Sequence, residues 1–149
     1  MPFQQVRDLL ARTVEYHRKA ADYYAGMGAH SDKQAVHLVT EYLAGHELVL
    51  VRMIEGFLAR GEHDVCKTWL QTDPDYHMER VLDGLNVDRA VDAREIIETA
   101  VELNRRLIKY FHRMKEISPN EQVGELFWSL EAHELDEQKR LSAMYSEVY

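Results

Sequence analysis

Apolar residues recur at intervals of three and four along most of the chain, and this period predicts four long α-helices. A helix turns about 100° per residue, so such spacing gathers the apolar side chains into one stripe. The first three predicted helices cover residues 3–27, 33–59 and about 89–116, and the fourth follows residues 118–120 and runs to the end. The four stripes contain Phe3, Val6, Leu10, Val14, Ala21 and Tyr24; Val36, Leu43, Leu50, Ile54 and Phe57; Ile97, Val101, Ile108 and Phe111; and Val123, Phe127, Leu130, Leu141 and Val148.

Turn residues separate these helices at two places. Gly26 and Gly28, followed by the Ser31-Asp32 pair, predict the end of the first helix and the cap of the second. The sequence Ser-Pro-Asn at 118–120 ends the third helix. Because both connections are short, each pair of helices is expected to form an antiparallel hairpin.

The connection between the second and third helices is much longer. It covers residues 61–88 and contains Pro74 and Gly84, with room for one or two short helical turns. A segment of this length can run along a bundle and place the second hairpin against the first. We therefore predict an all-α four-helix bundle in a single domain, residues 1–149, with hairpins at about 3–60 and 89–148.

The two predicted hairpins are similar in sequence. When the chain is shifted by 87 residues, residues 3–58 align with 90–145 without a gap. The pattern Leu-x-x-His-Glu-Leu occurs at 43–48 and again at 130–135. This similarity predicts an internal repeat in which a pseudo-two-fold axis relates the hairpins.

Five polar residues fall inside the apolar stripes. A polar residue at a stripe position is expected to face the core with its apolar neighbours. Glu15 and Glu102 fall in charged rows and are expected to face water, while His46 and His133 lie on the flanks of their stripes. The predicted inward residues are His17, Glu47, Asn104, Glu134 and Glu137.

These five residues predict one of two arrangements in the centre of the bundle. Buried charges need partners or a cation, and a divalent metal would meet that need. Oxygen-rich ligands favour Fe(II) or Mn(II). The alternative is a metal-free network in which burial keeps one or more glutamates protonated and hydrogen-bonded to His17 and Asn104.

Charge and cysteine content narrow the classes of partner and compartment. The formal net charge of −8 argues against nucleic acid or an anionic membrane surface as a main partner. No stretch reaches the roughly 18 apolar residues that a membrane span needs. Cys66 is the only cysteine, and the charged N-terminal segment lacks the apolar centre of a secretory signal. We expect a cytoplasmic protein.

The helix motifs resemble those of the ferritin-like superfamily, and more narrowly its rubrerythrin-like members. In HRKAADYYAGM, at 17–27, His17 stands where that family has a glutamate ligand, followed by alanine and an aromatic pair at the family's spacing. LAGHELVL and LEAHELDE resemble the family's Glu-x-x-His helices, with Glu47 and Glu134 at the glutamate positions. Leu50 and Glu137 stand at the histidine positions, and Asn104 at the glutamate position of the third helix.

The resemblance implies a two-iron site, but the substitutions imply an altered one. Glu47, Glu134 and Glu137, with help from His17, are able to hold a single metal, and the metal-free network stays the alternative. Three classes of function stay open: a metal-dependent oxidoreductase acting on oxygen or peroxide, a metal-binding or storage protein without turnover, and a metal-free bundle that acts through protein contacts. The apolar surface of the second helix is wider than one stripe and predicts a homodimer; the residues concerned are Leu38, Val39, Val49, Val51 and Met53.

Overall fold

Four long helices dominate the computed structural model, which describes residues 4–60, 63–70, 78–85 and 92–147. The long helices are α1 (Val6–Ala29), α2 (Gln34–Ala59), α5 (Ala93–Glu116) and α6 (Glu121–Glu147). Two short helices, α3 (His63–Cys66) and α4 (Met78–Asp83), lie in the crossover. The structure therefore confirms an all-α four-helix bundle. The predictions for Phe3, Pro74 and Val148 lie outside the described residues.

The first connection differs from the prediction. Helix α1 continues through Gly26 and Gly28 to Ala29, and Lys33, not Ser31 or Asp32, occupies the N-cap of α2. Gly28 allows a close approach of the two helices, because a Cβ atom there would lie 2.5 Å from Oγ1 of Thr40. The glycine was therefore misread as a stop signal, since packing against α2 is what requires it.

Side-chain caps begin both helices of the second hairpin. Oδ1 of Asp92 accepts a hydrogen bond of 2.9 Å from the backbone N–H of Glu95 at the start of α5. Oδ1 of Asn120 accepts a bond of 2.9 Å from the N–H of Val123 in the first turn of α6. These bonds satisfy N–H groups that have no partner within the helix. The predicted break at residues 118–120 is confirmed.

The crossover contains a short strand that the hydrophobic period did not predict. Strand β1 (Gln4–Gln5) pairs antiparallel with β2 (Trp69–Leu70), with Gln4 opposite Leu70 and Gln5 opposite Trp69. The N–H of Val6 also donates to the carbonyl of Thr68. Among the crossover residues that the structure describes, four side chains are buried in the main core: Val65, Leu70, Met78 and Leu82. The crossover is thus attached both to the start of α1 and to the core.

The core lies between the two hairpins, with α1 packed along α2 and α5 along α6. On α5 the predicted stripe is shifted: Val101 and Ile108 are only partly buried, whereas Leu103 and Leu107 are fully inside. Phe57 at the end of α2 is also only partly buried. The division into one domain with its stated hairpin limits stays a prediction.

No helix within the described residues combines the length and the apolar character needed to cross a membrane.

Candidate metal centre

The five predicted inward residues come from all four long helices and point into the bundle. His17, Asn104, Glu134 and Glu137 are at most 4% exposed, and the side chain of Glu47 is 13% exposed. Glu15 is exposed, and Glu102 pairs with Arg105 and Arg106 on the surface. The helical phase of these polar positions was therefore predicted correctly. Their role as metal ligands stays a prediction.

In the first hairpin, His17 and Glu47 form a direct pair. Nδ1 of His17 is hydrogen-bonded to Oε2 of Glu47 between α1 and α2. Burial by itself lowers the pKa of His17, but the charge and hydrogen bond of Glu47 outweigh it, so the net pKa is raised. The pair therefore favours a protonated imidazole at His17.

In the second hairpin, Asn104 and Glu134 occupy the equivalent positions. Nδ2 of Asn104 donates to Oε2 of Glu134 at 2.8 Å and to the backbone carbonyl of the same residue at 2.9 Å. The loss of hydration at this carboxyl group outweighs the charge of His17 and the hydrogen bond of Asn104, both of which lower its pKa. Burial raises the pKa of Glu134 to about 7, against an ordinary value of 4.5.

Glu137 lies one turn further along α6 and contacts residues nearer the surface. Its Oε2 accepts a hydrogen bond of 3.2 Å from the hydroxyl of Tyr42 and lies 3.2 Å from Nδ1 of His46. The guanidinium of Arg140 is 3.6 Å from the same oxygen. Burial raises the pKa of Glu137 to about 7, although Tyr42 and Arg140 oppose the rise.

A small cavity of about 10 Å³ lies among these side chains. That volume is close to the least that can hold one water molecule or one ion. The cavity is lined in part by His46, Glu47, Asn104, Glu134 and Glu137. Three buried atoms of this lining have no hydrogen-bond partner in the structure: Oδ1 of Asn104, Oε1 of Glu137 and Nε2 of His46.

His46 lies at the central cavity, a position that was only the second interpretation of this residue from the sequence. Its flanking position on α2 pointed to ordinary packing, and the ring does stack on Tyr42, with centroids 6.3 Å apart. The same ring also lines the central cavity and contacts Glu137. Burial lowers the pKa of His46, which favours the neutral imidazole. The i, i+4 spacing of Tyr42 and His46 was the available signal, but their common partner is far away in the sequence.

His133, the counterpart of His46 in the repeat, lies elsewhere. It lines a separate groove of about 410 Å³ between α2 and α6, together with Phe57, Arg60 and Leu126. The two copies of the His-Glu pattern are therefore alike in the position of the glutamate and different in the surroundings of the histidine.

No protein-family model and no curated protein sequence matches the chain. A solved structure from Thermotoga maritima, provisionally described as a ferritin-like diiron-carboxylate protein, matches it with a TM-score of 0.65 at 15% sequence identity. The match covers 100% of this chain and 99% of that one. The chain has a ferritin-like fold. This confirms the fold class implied by the motifs.

A two-iron centre does not fit the residues of this ferritin-like bundle. Leu50, where the motif resemblance expects a histidine, is buried and has no donor atom. Glu47 is bonded to His17, and Glu134 to Asn104. The cavity has room for about one atom. Within the part of the chain that the structure describes, no group of three or more His, Cys, Asp or Glu side chains is arranged to hold a metal ion.

Proposed function

We propose that this ferritin-like protein binds one divalent cation in the centre of the bundle, at the cavity bordered by Glu47, Glu134 and Glu137. The observation that carries the proposal is the pair of unpartnered acceptor atoms there, Oδ1 of Asn104 and Oε1 of Glu137. Unpaired buried acceptors are costly, and a cation satisfies several of them at once.

The donor set favours a hard or intermediate cation. Three carboxylates and one amide oxygen border the cavity, and Nε2 of His46 adds a neutral imidazole nitrogen. Oxygen donors with an imidazole suit Mn(II) or Fe(II), whereas a thiophilic ion would need cysteine. Binding would require the side chains to rearrange, because the described carboxylates are not arranged to hold a metal ion as they stand and Glu47 must share its carboxylate with His17. Protons on Glu134 and Glu137 would compete with the cation.

A bound Fe(II) or Mn(II) would supply redox chemistry towards oxygen or peroxide. The residues of the chain would hold the ion and shield it from water, since Tyr16, Tyr24 and Leu141 close the cavity with buried side chains. Burial raises the pKa of Tyr24 well above its ordinary value, so this phenol keeps its proton. Oxidoreductase activity and simple cation binding are thus two forms of the same proposal.

Metal analysis of protein loaded anaerobically with Fe(II) or with Mn(II) tests this proposal. We expect about one metal per chain in the parent protein and loss of that metal in the double variant Glu47→Gln/Glu134→Gln. The matched control is Glu15→Gln/Glu102→Gln, which removes two exposed glutamates from α1 and α5 and should keep the metal. Two metals per chain, or equal binding by both double variants, would overturn the proposal of one central cation.

A metal-free polar network is the second candidate. It is favoured by the protein partner that each central carboxylate already has: His17 for Glu47, Asn104 for Glu134, and Tyr42 for Glu137. In that case loaded protein contains no metal, and Glu47→Gln/Glu134→Gln is still folded. Where metal does bind, oxygen and peroxide consumption separates turnover from binding alone.

A further inference from the structure

We propose that two copies of this chain associate through the outward face of α2, with the two helices antiparallel. The face, here called the outer α2 face, consists of Leu38, Tyr42, Gly45, Leu48, Val49 and Met53. It is independent of the cation site, since its residues point away from the bundle centre except for the hydroxyl of Tyr42.

The outer α2 face is apolar although no described residue of the chain covers it. Leu38 is 61% exposed, Leu48 is 43% exposed and Val49 is 45% exposed. One row along the helix is formed by Leu38, Tyr42, Val49 and Met53, because they are spaced four, seven and four positions apart. Val39 and Val51, which widened the apolar surface in the sequence, are buried inside the chain. A continuous exposed apolar row on a long helix is typical of a contact surface.

The middle of the outer α2 face permits close approach. A Cβ atom added to Gly45 would have nothing within 4 Å, so the space above this glycine is open. Helix axes come nearest where side chains at the contact are small. Leu48 and Val49 lie beside Gly45, and leucine or valine from a second helix would fill this open space.

Charges on one flank of the outer α2 face identify the partner as a second copy. Glu41 and Arg52 are exposed and eleven residues apart, close to three turns, so they lie in one row. In a two-fold antiparallel pair, residues equally far from the centre face each other. A centre at the His46–Glu47 peptide places Glu41 opposite the partner subunit's Arg52, and the same pair forms again by symmetry.

The parallel arrangement gains nothing from the same charges. In a parallel two-fold pair of identical helices, one flank of each helix meets the opposite flank of the other, so Glu41 and Arg52, which share one flank, would not meet. The face is therefore complementary to itself only in the antiparallel orientation, and the centre of that orientation coincides with Gly45, Leu48 and Val49.

The first test measures molar mass by light scattering after size exclusion. We expect the parent protein to be a dimer and Val49→Asp to be a monomer with unchanged helix content by circular dichroism. The matched control is Leu135→Asp on the outward face of α6, where the leucine is 40% exposed. That variant should stay dimeric. A monomeric parent, or a dimer that survives Val49→Asp, would overturn the proposal.

The second test uses charge reversal to determine the orientation. Glu41→Arg and Arg52→Glu each create two like-charge contacts in the antiparallel dimer, and each should weaken dimerisation about tenfold. The double variant Glu41→Arg/Arg52→Glu restores opposite charges and should recover the parent dissociation constant, measured by sedimentation at low salt. A double variant that is weaker than both single variants would exclude the antiparallel pairing.

Discussion

At the residue scale, the charge of the hydrogen-bond donors decides whether the net pKa of a buried glutamate is raised or lowered. Glu131 and Glu134 are both at most 8% exposed on α6. Glu131 accepts bonds from Lys115 at 3.0 Å and His112 at 2.7 Å, and these outweigh its burial and lower its pKa. Glu134 accepts its side-chain hydrogen bond from the neutral amide of Asn104, and burial raises its pKa to about 7 although the charge of His17 opposes the rise. Glu131 therefore forms ordinary ion pairs with Lys115 and His112, whereas Glu134 is a buried acid with a raised pKa.

The pair of His17 and Glu47 provides a prediction at the same scale. His17→Leu removes the partner of a largely buried carboxylate and should lower the free energy of unfolding by about 3 kcal/mol in metal-free protein at pH 7. His17→Leu/Glu47→Leu removes both charges and should cost less than the single variant, because no unpaired charge is left. Urea unfolding of the parent, both single variants and the double variant measures this coupling.

If the losses in the free energy of unfolding of the two single variants simply add up in the double variant, His17 and Glu47 do not interact. Glu15→Leu in the same α1 helix is a suitable control, since Glu15 is exposed. It should change the free energy of unfolding by less than about 0.5 kcal/mol.

The individual residues show how far the sequence could predict this site. The five inward positions followed from helical phase alone, because a stripe fixes direction whatever residue occupies it. The partners of Glu137 could not be predicted from helical phase, since Tyr42 is 95 positions away along the chain and Arg140 is exposed. Phase says which way a side chain points, whereas a contact between α2 and α6 depends on how the hairpins are placed against each other.

At the scale of the elements, the contact of α1 with α2 depends on one glycine. Thr40 cannot readily move away from Gly28, because its hydroxyl donates to the carbonyl of Val36 at 2.8 Å. A methyl group at Gly28 would meet that hydroxyl oxygen at 2.5 Å. Either the bond to Val36 or the spacing between the helices would have to change.

Gly28→Ala is therefore expected to destabilise the protein by about 1–3 kcal/mol, as overpacking does in a tight interface. Gly56→Ala is the contrasting variant, because its Cβ would meet only the end of the flexible Arg60 side chain, at 3.6 Å. It should stabilise the protein by about 0.5–1 kcal/mol through higher helix propensity. Thermal and urea unfolding of both variants measure the difference, and two changes of the same sign would contradict this account.

The elements also show where local patterns fail. Helix ends at Ser118–Asn120 were readable because proline and an asparagine cap act within a few residues. The pairing of β1 with β2 could not be predicted in this way. A strand of two residues is too short to show alternation, and the two strands are more than sixty positions apart in the sequence. On α5 the true core row includes Leu103 and Leu107, which lie one position from the charged residues Glu102 and Arg106.

At the scale of the whole molecule, the two hairpins use equivalent positions in equivalent ways. His17 bonds Glu47 in the first hairpin, and Asn104 bonds Glu134 in the second, with the partners 30 positions apart in both cases. The aromatic pairs Tyr23–Tyr24 and Tyr110–Phe111 also match, with T-shaped contacts at 5.3 Å and 5.8 Å. These contacts support the internal repeat, which stays a prediction, and they place both glutamates at one level of the bundle.

The central acids should give the metal-free molecule an unusual dependence of stability on pH. A carboxyl group with a higher pKa in the folded chain binds its proton more tightly when folded, so its stabilising effect is complete below its ordinary pKa of 4.5. That effect is lost as the pH rises through about 7 for both Glu134 and Glu137. The raised pKa of His17 acts in the same direction, and the lowered pKa of His46 opposes it.

We therefore expect the free energy of unfolding, measured in urea with a chelator present, to fall between about pH 5 and pH 8. Glu134 alone accounts for about 3 kcal/mol of that fall, since its pKa rises from 4.5 to about 7. Glu134→Gln keeps an acceptor for the hydrogen bond from Asn104 but removes the titrating carboxyl group. Its free energy of unfolding should therefore equal that of the parent near pH 5 and exceed it near pH 8. The control Glu102→Gln, at a surface glutamate, should show the same dependence of the free energy of unfolding on pH as the parent. If Glu134→Gln also showed the parent dependence, Glu134 would not be the cause of the fall in stability.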